Sequence, residues 1–377
     1  MQTSPRRLGV GIHTVLVTGG YGFFGARICS ALAKNAAIRV LIGGRSGERG
    51  RRLADELGLA QDQAVCVDTA SATLHEFLRD RQVGTVIHTA GPFQSQDYTV
   101  ARSAIEAGCH YIDLADGRQF VTGIEALDSA AKERGLTITS GASSVPALSS
   151  AVVDRHLPEF ERLDSIRIGI SSGARAPGLA TVRGVFSYAG RPVRILQNGS
   201  WSTAFGWLGL ERHEFPSPLG RRWLGTCDVP DLDLLPRRYP TVKTVTFRAG
   251  FASDAGHMIV WAFAGLVRAG LMASMTPLSS PLNRISRWIE PFVSDKGGMF
   301  VTLEGTGRSG QPHRITWNLI AEHNHGPFIP CGAAIVLANK IADGVGLPIG
   351  ATPCTGLLTV SEYLSALKGL DVKEVIE

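Results

Sequence analysis

Cysteine is sparse in this chain, and nothing in it clusters by composition. The six cysteines (Cys29, Cys66, Cys109, Cys227, Cys331 and Cys354) stand far apart with no Cys-x-x-Cys pair. That spacing excludes a disulfide framework and a cysteine zinc site, and reads as reduced, mostly buried thiols of a cytosolic protein. No internal repeat or low-complexity tract interrupts the sequence. Residues 1–11 carry two arginines but lack the apolar run of a signal peptide, so a cytoplasmic location is expected. Net charge is +5, yet the arginines are scattered apart from Arg45, Arg49, Arg51 and Arg52, which argues against a nucleic-acid partner. At 377 residues, 44% hydrophobic and 19% charged, the chain is globular and long enough for two domains.

What the chain has in quantity is glycine, 44 residues of it, and in one place the glycines are ordered. Val15-Leu16-Val17-Thr18 runs into Gly19-Gly20-Tyr21-Gly22-Phe23-Phe24-Gly25 and then into a helical pattern. This is the strand-turn-helix setting of a dinucleotide fingerprint. Gly20 would make the tight turn, Gly22 would let the backbone approach a pyrophosphate, and Gly25 would let the helix sit close on the strand. The phosphates would rest on the helix N-terminus, and the whole loop from Gly19 to Gly25 is expected to touch cofactor. The next strand, 38–42, ends in Gly43-Gly44-Arg45-Ser46, where a Rossmann unit meets the adenosine ribose. A carboxylate there would select NAD. Gly44, Arg45 and Ser46, with Arg49 one turn on, instead offer a guanidinium fork and a hydroxyl to a 2′-phosphate, so NADP(H) is the expected cofactor.

Strands over 64–68, 85–93, 110–114 and 136–140 then alternate with helices over 49–58, 74–81, 96–108 and 121–134. Such alternation argues for an α/β fold with a doubly wound parallel sheet. Ligands of open α/β sheets lie beyond the carboxyl ends of the strands. Asp68 is therefore set near the adenine edge, with a plain turn residue as its other reading. Ala90, Gly91 and Pro92 fall beside the nicotinamide ribose, Phe93 forms its wall, and Ser143 meets substrate. Reduction also needs a proton source. The candidates are Tyr111, Asp113 and Asp116, with His110 and Ser143 nearby; period two puts Tyr111 and Asp113 on one sheet face. The other reading of Asp113 is a cap for backbone groups, and it is the stronger one. No Tyr-x-x-x-Lys pair exists, since Tyr98 is followed by Arg102 and Tyr111 by Ala115. That argues against a short-chain dehydrogenase.

Gly20-x-Gly22-x-x-Gly25, Ala90-Gly91-Pro92-Phe93, Gly108-Cys109-His110-Tyr111-Ile112-Asp113-Leu114 and Gly141-x-x-x-x-Pro146 together resemble the saccharopine dehydrogenase-like oxidoreductases, most closely their bacterial branch. The resemblance extends through about residue 150 and fades after about 160. It implies an NAD(P)-binding Rossmann domain, an α/β substrate domain, and a C-terminal segment that returns to the first domain. It also implies hydride transfer at a carbon bearing nitrogen. The basic and polar residues that would hold the carboxylates of saccharopine cannot be placed on this sequence.

From Leu163 onward strand runs replace the alternation: 164–171, 180–188, 193–197, 201–205 and 241–247, with Asn198-Gly199 a type I′ hairpin signal and a further hairpin of 299–305 with 313–321. Expected is a Rossmann domain over 1–150, completed by 331–377, and a second α+β domain over 151–330 with a mixed or antiparallel sheet. Residues 211–232 read as a long functional loop, in which Arg221 and Arg222 would meet an acidic substrate group. The apolar segment 257–275 has three readings: a cleft-lining helix, an interfacial helix dipping into a membrane or an apolar substrate pool, or a span broken by Arg268. Glu322-His323-Asn324-His325 lacks a third ligand at metal spacing and reads as a surface loop, so no metal is expected. The leading reading is an NADP(H)-dependent oxidoreductase acting on an imine or carbonyl carbon of a small-molecule substrate, as a homodimer. The alternatives are a membrane-peripheral reductase of a lipophilic substrate and a non-catalytic NADP(H)-binding sensor or scaffold.

Overall fold

A computed structural model describes residues 12–173 and 178–377, so the arginine-bearing start over 1–11 lies outside the described residues. The first half follows the expected alternation: β1 (His13–Thr18), α1 (Gly25–Leu32), β2 (Ile38–Gly44), α2 (Gly47–Glu56), β3 (Ala64–Cys66), α3 (Leu74–Asp80), β4 (Thr85–His88), α4 (Thr99–Ala107) and β5 (His110–Asp113). The helix expected over 121–134 is broken into α5 (Arg118–Thr122), a 3-10 turn and α6 (Asp128–Glu133). Its break falls at Gly123, against which the Tyr98 hydroxyl packs while donating to Phe120 O at 2.7 Å. β6 (Thr137–Ser140) and α7 (Ser149–His156) complete this part. β1 and β4 are buried almost throughout, as strands covered by helices on both faces must be.

The second half contains β7 (Phe160–Ser171), α8 (Leu179–Ser187), β8 (Pro192–Gln197), β9 (Ser200–Phe205), β10 (Glu211–Phe215), β11 (Gly220–Thr226), α9 (Asp231–Arg238), β12 (Thr244–Gly250), α10 (Asp254–Arg268) and α11 (Ser279–Ile289). β13 (Gly297–Gly307) and β14 (Pro312–Ala321) form the expected long hairpin. Asn198 and Gly199 both have positive φ between β8 and β9, as a type I′ turn requires.

Two expectations fail here. Residues 180–188 form helix α8 rather than a strand; Val182, Val185, Phe186 and Ala189 are spaced for one helical face, and their packing overrides a β-branched composition. Residues 211–232 are not a loop but the β10–β11 hairpin followed by α9. In β10 the alternation is regular, with Arg212 and Glu214 outward and Phe215 buried, but the charge on the outer face hid it.

The tail carries α12 (Gly332–Ala342), β15 (Gly350–Pro353), α13 (Val360–Ser365) and β16 (Val372–Ile376). β15 pairs with β6 and extends the first sheet to seven parallel strands, ordered β15-β6-β5-β4-β1-β2-β3. β16 instead pairs antiparallel with β14. The C-terminal segment, expected over 331–377 to complete the first domain, therefore serves both sheets. The second sheet is mixed, ordered β10-β11-β12-β7-β13-β14-β16, with the β8–β9 hairpin joining at β12. Its strands β7 and β12 are parallel, and β7 and β13 antiparallel.

The two halves are pinned by a buried cation. Arg118 on α5 makes a two-point contact with Asp233 of α9 at 2.6 Å and reaches Asp228 at 2.9 Å and Arg194 O at 2.8 Å. Nearby, Ser149 on α7 donates to Asp231. α10 starts at a Ser253 cap and ends before Gly270, so the apolar segment begins and ends earlier than expected. No described helix is long and apolar enough to cross a membrane.

Candidate active site

The order of the first sheet reverses between β1 and β4, and the site is built beyond their carboxyl ends. β1 turns through Gly19, whose φ of +71° is a glycine conformation. The turn residue is thus Gly19, one place before the Gly20 that the fingerprint suggests. Gly20 instead donates its N–H to Gly43 O at 2.9 Å, tying the loop to β2. A Cβ on Gly22 would stand 2.8 Å from Gly19 O, and one on Gly25 would overlap that same carbonyl. α1 therefore starts hard against the loop, with no side-chain cap and no acidic residue in its first turn. Free N–H groups and the positive end of the helix dipole are left for an anion.

Tyr21 couples this loop to the end of β2. Its hydroxyl accepts the Ser46 N–H at 2.8 Å, and the Arg49 guanidinium stacks 4.6 Å from its ring centroid. Gly44 lies directly beneath the ring, where any Cβ would strike it. Ser46 caps α2 by accepting the Arg49 N–H at 3.4 Å. Arg45 and Arg49 are exposed beside that helix start. Two guanidinium groups and a capping hydroxyl, with no carboxylate at the end of β2 itself and Glu48 in the first turn of α2, fit a ribose 2′-phosphate. Asp68 is exposed and accepts the Ala70 N–H at 3.1 Å, the geometry of a turn residue.

The loop after β4 is fixed by a side-chain relay. Thr18 Oγ1 stands 2.6 Å from His88 Nδ1, and His88 Nε2 lies 3.0 Å from Gln96 Oε1. Gln96 Nε2 donates to Ala90 O at 2.7 Å and Pro92 O at 3.0 Å, so its oxygen accepts from His88 Nε2–H and Thr18 donates to Nδ1. Burial lowers the His88 pKa to about 4, which keeps the ring in the neutral form this relay needs. Ala90, Gly91 and Pro92 are held half-buried at the crevice. Phe93 is not a cofactor wall: it is buried edge-on to His88, against Phe120 and Leu234.

Asp113 is fully buried, and its Oδ1 accepts from Ala115 N at 2.9 Å, Gly141 N at 2.8 Å and Ser140 Oγ at 2.9 Å. It stitches the ends of β5 and β6 together, the cap role. Burial pushes its pKa up to about 6 and that of Tyr111, on the same face, well above the ordinary tyrosine value. Asp116 lies in the loop beyond, accepting from Gln94 Nε2 at 3.0 Å, and burial raises its pKa.

Helix α8 crosses above this crevice: a Cβ on Gly178, just before it, would stand 3.2 Å from Phe23, and one on Gly184 would stand 2.7 Å from the Gln94 side chain. Between the fingerprint loop, α8 and the second sheet lies a cleft of about 240 Å³, lined among others by Phe23, Phe24, Ser144, Val185, Trp207 and Met299. Ser143 is half-buried one residue before that wall. Arg221 and Arg222 do not line it. They sit on the β10–β11 hairpin, where Arg221 pairs with Glu214 at 2.6 Å and Arg222 donates to Arg221 O at 3.2 Å. His323 bonds Asp371 at 2.9 Å, and His325 accepts the Asp371 N–H at 2.8 Å. Sequence reasoning missed Thr18, His88 and Gln96. A histidine closing a buried strand and a glutamine eight residues on are the only signal it offered.

Residues 15–139 match the saccharopine dehydrogenase NADP binding domain, which makes this stretch an NADP-binding Rossmann domain of that type. No curated protein matches the chain in sequence. Among solved structures, apo saccharopine dehydrogenase (L-Glu forming) from Saccharomyces cerevisiae superposes with a TM-score of 0.69 at 14% identity, over 97% of this chain and 100% of that one. Homospermidine synthase from Legionella pneumophila in complex with NAD superposes with a TM-score of 0.63 at 10% identity, over 97% of this chain and 91% of that one. At these identities the likeness is one of fold.

Proposed function

We propose that this NADP-binding chain of the saccharopine dehydrogenase type is an NADP(H)-dependent oxidoreductase that works on a carbonyl or imine carbon in the cleft beneath α8. The observation that carries the reading is the adjacency of two things. A glycine loop and Tyr21–Arg49 platform suited to NADP(H) open onto an otherwise apolar cleft closed by the second domain.

The backbone N–H groups at the start of α1 would hold the pyrophosphate, Arg45, Ser46 and Arg49 the 2′-phosphate, and the Ala90–Pro92 loop the nicotinamide side. NADPH, when bound, would supply a hydride to the substrate carbon, and one proton would go to the substrate oxygen or nitrogen. Asp116, its pKa raised by burial and its orientation fixed by Gln94, does not line the cleft and is not assigned the proton transfer. Asp113 holds the strand ends on which that loop is mounted. α8 and the apolar wall exclude water.

The test is NADPH oxidation against a panel of ketones, aldehydes and cyclic imines, on wild type and Gly44→Val. Turnover of at least one member that, at limiting NADPH, falls about tenfold in the variant supports the reading. Tight NADPH binding without oxidation by any member of the panel would refute it.

A further inference from the structure

The cleft beside Phe23 and Phe24 does not end at α8. A second cavity of about 160 Å³ lies between α8, α10 and α11, and Ser172, Gly173, Val185 and Phe251 line both spaces. Among the described residues lining the second cavity none is charged; its walls are side chains such as Val182, Phe186, Val260 and Leu282, with serines and Asn283 as the polar members. Asp295 is the one charged side chain among the described residues of the first. Neither space offers a described basic group to a carboxylate, which a substrate with several acid groups would require.

The second cavity reaches the surface through apolar residues. Ile259, Ile285 and Ile289 line it, and they are 47%, 54% and 40% exposed. Beside them on the same stretch of chain, Trp288 is 78% and Phe292 88% exposed. A monomer rarely leaves so much contiguous apolar surface open unless it serves a ligand or surface of like character. A passage whose walls are mainly apolar and carry no described charge between its mouth and the reaction cleft takes a molecule that is apolar along most of its length.

We infer that the two joined cavities bind one long-chain carbonyl compound, with its uncharged carbonyl end in the cleft by Phe23 and Ser144 and its alkyl tail between α8, α10 and α11. The inference rests on the reading of that cleft as the reaction site, and it makes the apolar segment 257–275 part of the substrate wall through Ile259 and Val260. Binding should strengthen with each methylene that enters, roughly fourfold apiece at full burial. Val185, at the junction, decides whether a tail can pass.

The experiment is displacement of the fluorescent probe N-phenyl-1-naphthylamine from the full chain by 2-octanone and by 2-dodecanone, with NADPH binding followed by nicotinamide fluorescence in the same samples. 2-Dodecanone is expected to displace the probe at least about tenfold more tightly than 2-octanone. Val185→Trp, which fills the junction, is expected to abolish that difference while 2-octanone still binds. Val182→Trp, in the far cavity alone, is the companion variant, and circular dichroism reports the folding of both. Equal affinity for the two ketones, or a difference that survives in both folded variants, overturns the inference. NADPH binding retained beside such a result leaves the oxidoreductase reading standing. Chain-length dependence without NADPH binding supports the passage and overturns that reading instead.

Discussion

The nucleotide half and the substrate half of this molecule are held by different kinds of constraint. In the first, function depends on the backbone coming close to itself and to a ligand. Gly25 cannot carry a Cβ because the Gly19 carbonyl occupies its place, and Gly44 cannot because the Tyr21 ring does. In the second, the structural elements are placed by side-chain burial and by ionic ties to the first half, Arg118 above all. A site built from backbone approach admits almost no substitution, whereas one built from apolar walls admits many. The first kind leaves a readable mark in the sequence and the second does not.

The largest test of that contrast is Arg118→Ala. It strips the partner from Asp228 and Asp233 in a site where the arginine is 8% exposed, and leaves uncompensated charge between the halves. Chemical denaturation should show a loss of about 3–5 kcal/mol. A loss below about 1 kcal/mol would mean that apolar packing alone joins the two parts.

Gly44→Val tests the first half by itself. The new side chain must push the Tyr21 ring off Ser46 and Arg49, so NADPH affinity should fall about tenfold, close to 1.4 kcal/mol. Unchanged affinity by nicotinamide fluorescence would remove Tyr21 from the site.

A pH-dependent effect belongs to Asp231 at the junction. Burial raises its carboxyl from the ordinary 3.8 to about 7, so the folded state favours the neutral acid. Its contribution to stability is therefore fully present below about pH 4 and is lost as pH rises through about 7. Asp231→Asn should flatten the stability curve across that window, by at most about 1.4 kcal/mol per pH unit. An unchanged slope in thermal melts from pH 4 to 7 would contradict this.

Smallest of all is Arg221→Ala, which removes an exposed pair with Glu214 that does not line the cleft. It should leave stability essentially unchanged and turnover within about twofold. A large fall in turnover would restore Arg221 as a substrate contact.

The sheet of the first half was legible because β1, β2, β4 and β6 are buried runs that meet glycine or proline at or soon after their ends. The Arg45–Ser46 site was legible because the absence of a carboxylate there is itself a signal. What escaped did so for physical reasons. The relay from Thr18 through His88 to Gln96 joins residues whose proximity exists only after β1 and β4 pair. In α8 the helical spacing was present, but Thr181, Val182 and Val185 gave it a strand composition, and packing decided. In β10 the charges of Arg212 and Glu214 masked a period-two strand. The crossing of β16 to the second sheet is a tertiary choice that its short sequence does not encode.

Selection of NADP(H) by the loop from Gly19 to Gly25 and the platform of Tyr21, Arg45, Ser46 and Arg49 is checked by paired fluorescence titrations of NADPH and NADH on wild type and Arg45→Ala. The expected result is a wild-type preference for NADPH of about tenfold or more that collapses in the variant, as for one lost charge-assisted phosphate contact. Equal affinity for the two nucleotides in wild type, or a preference untouched by the substitution, would contradict it.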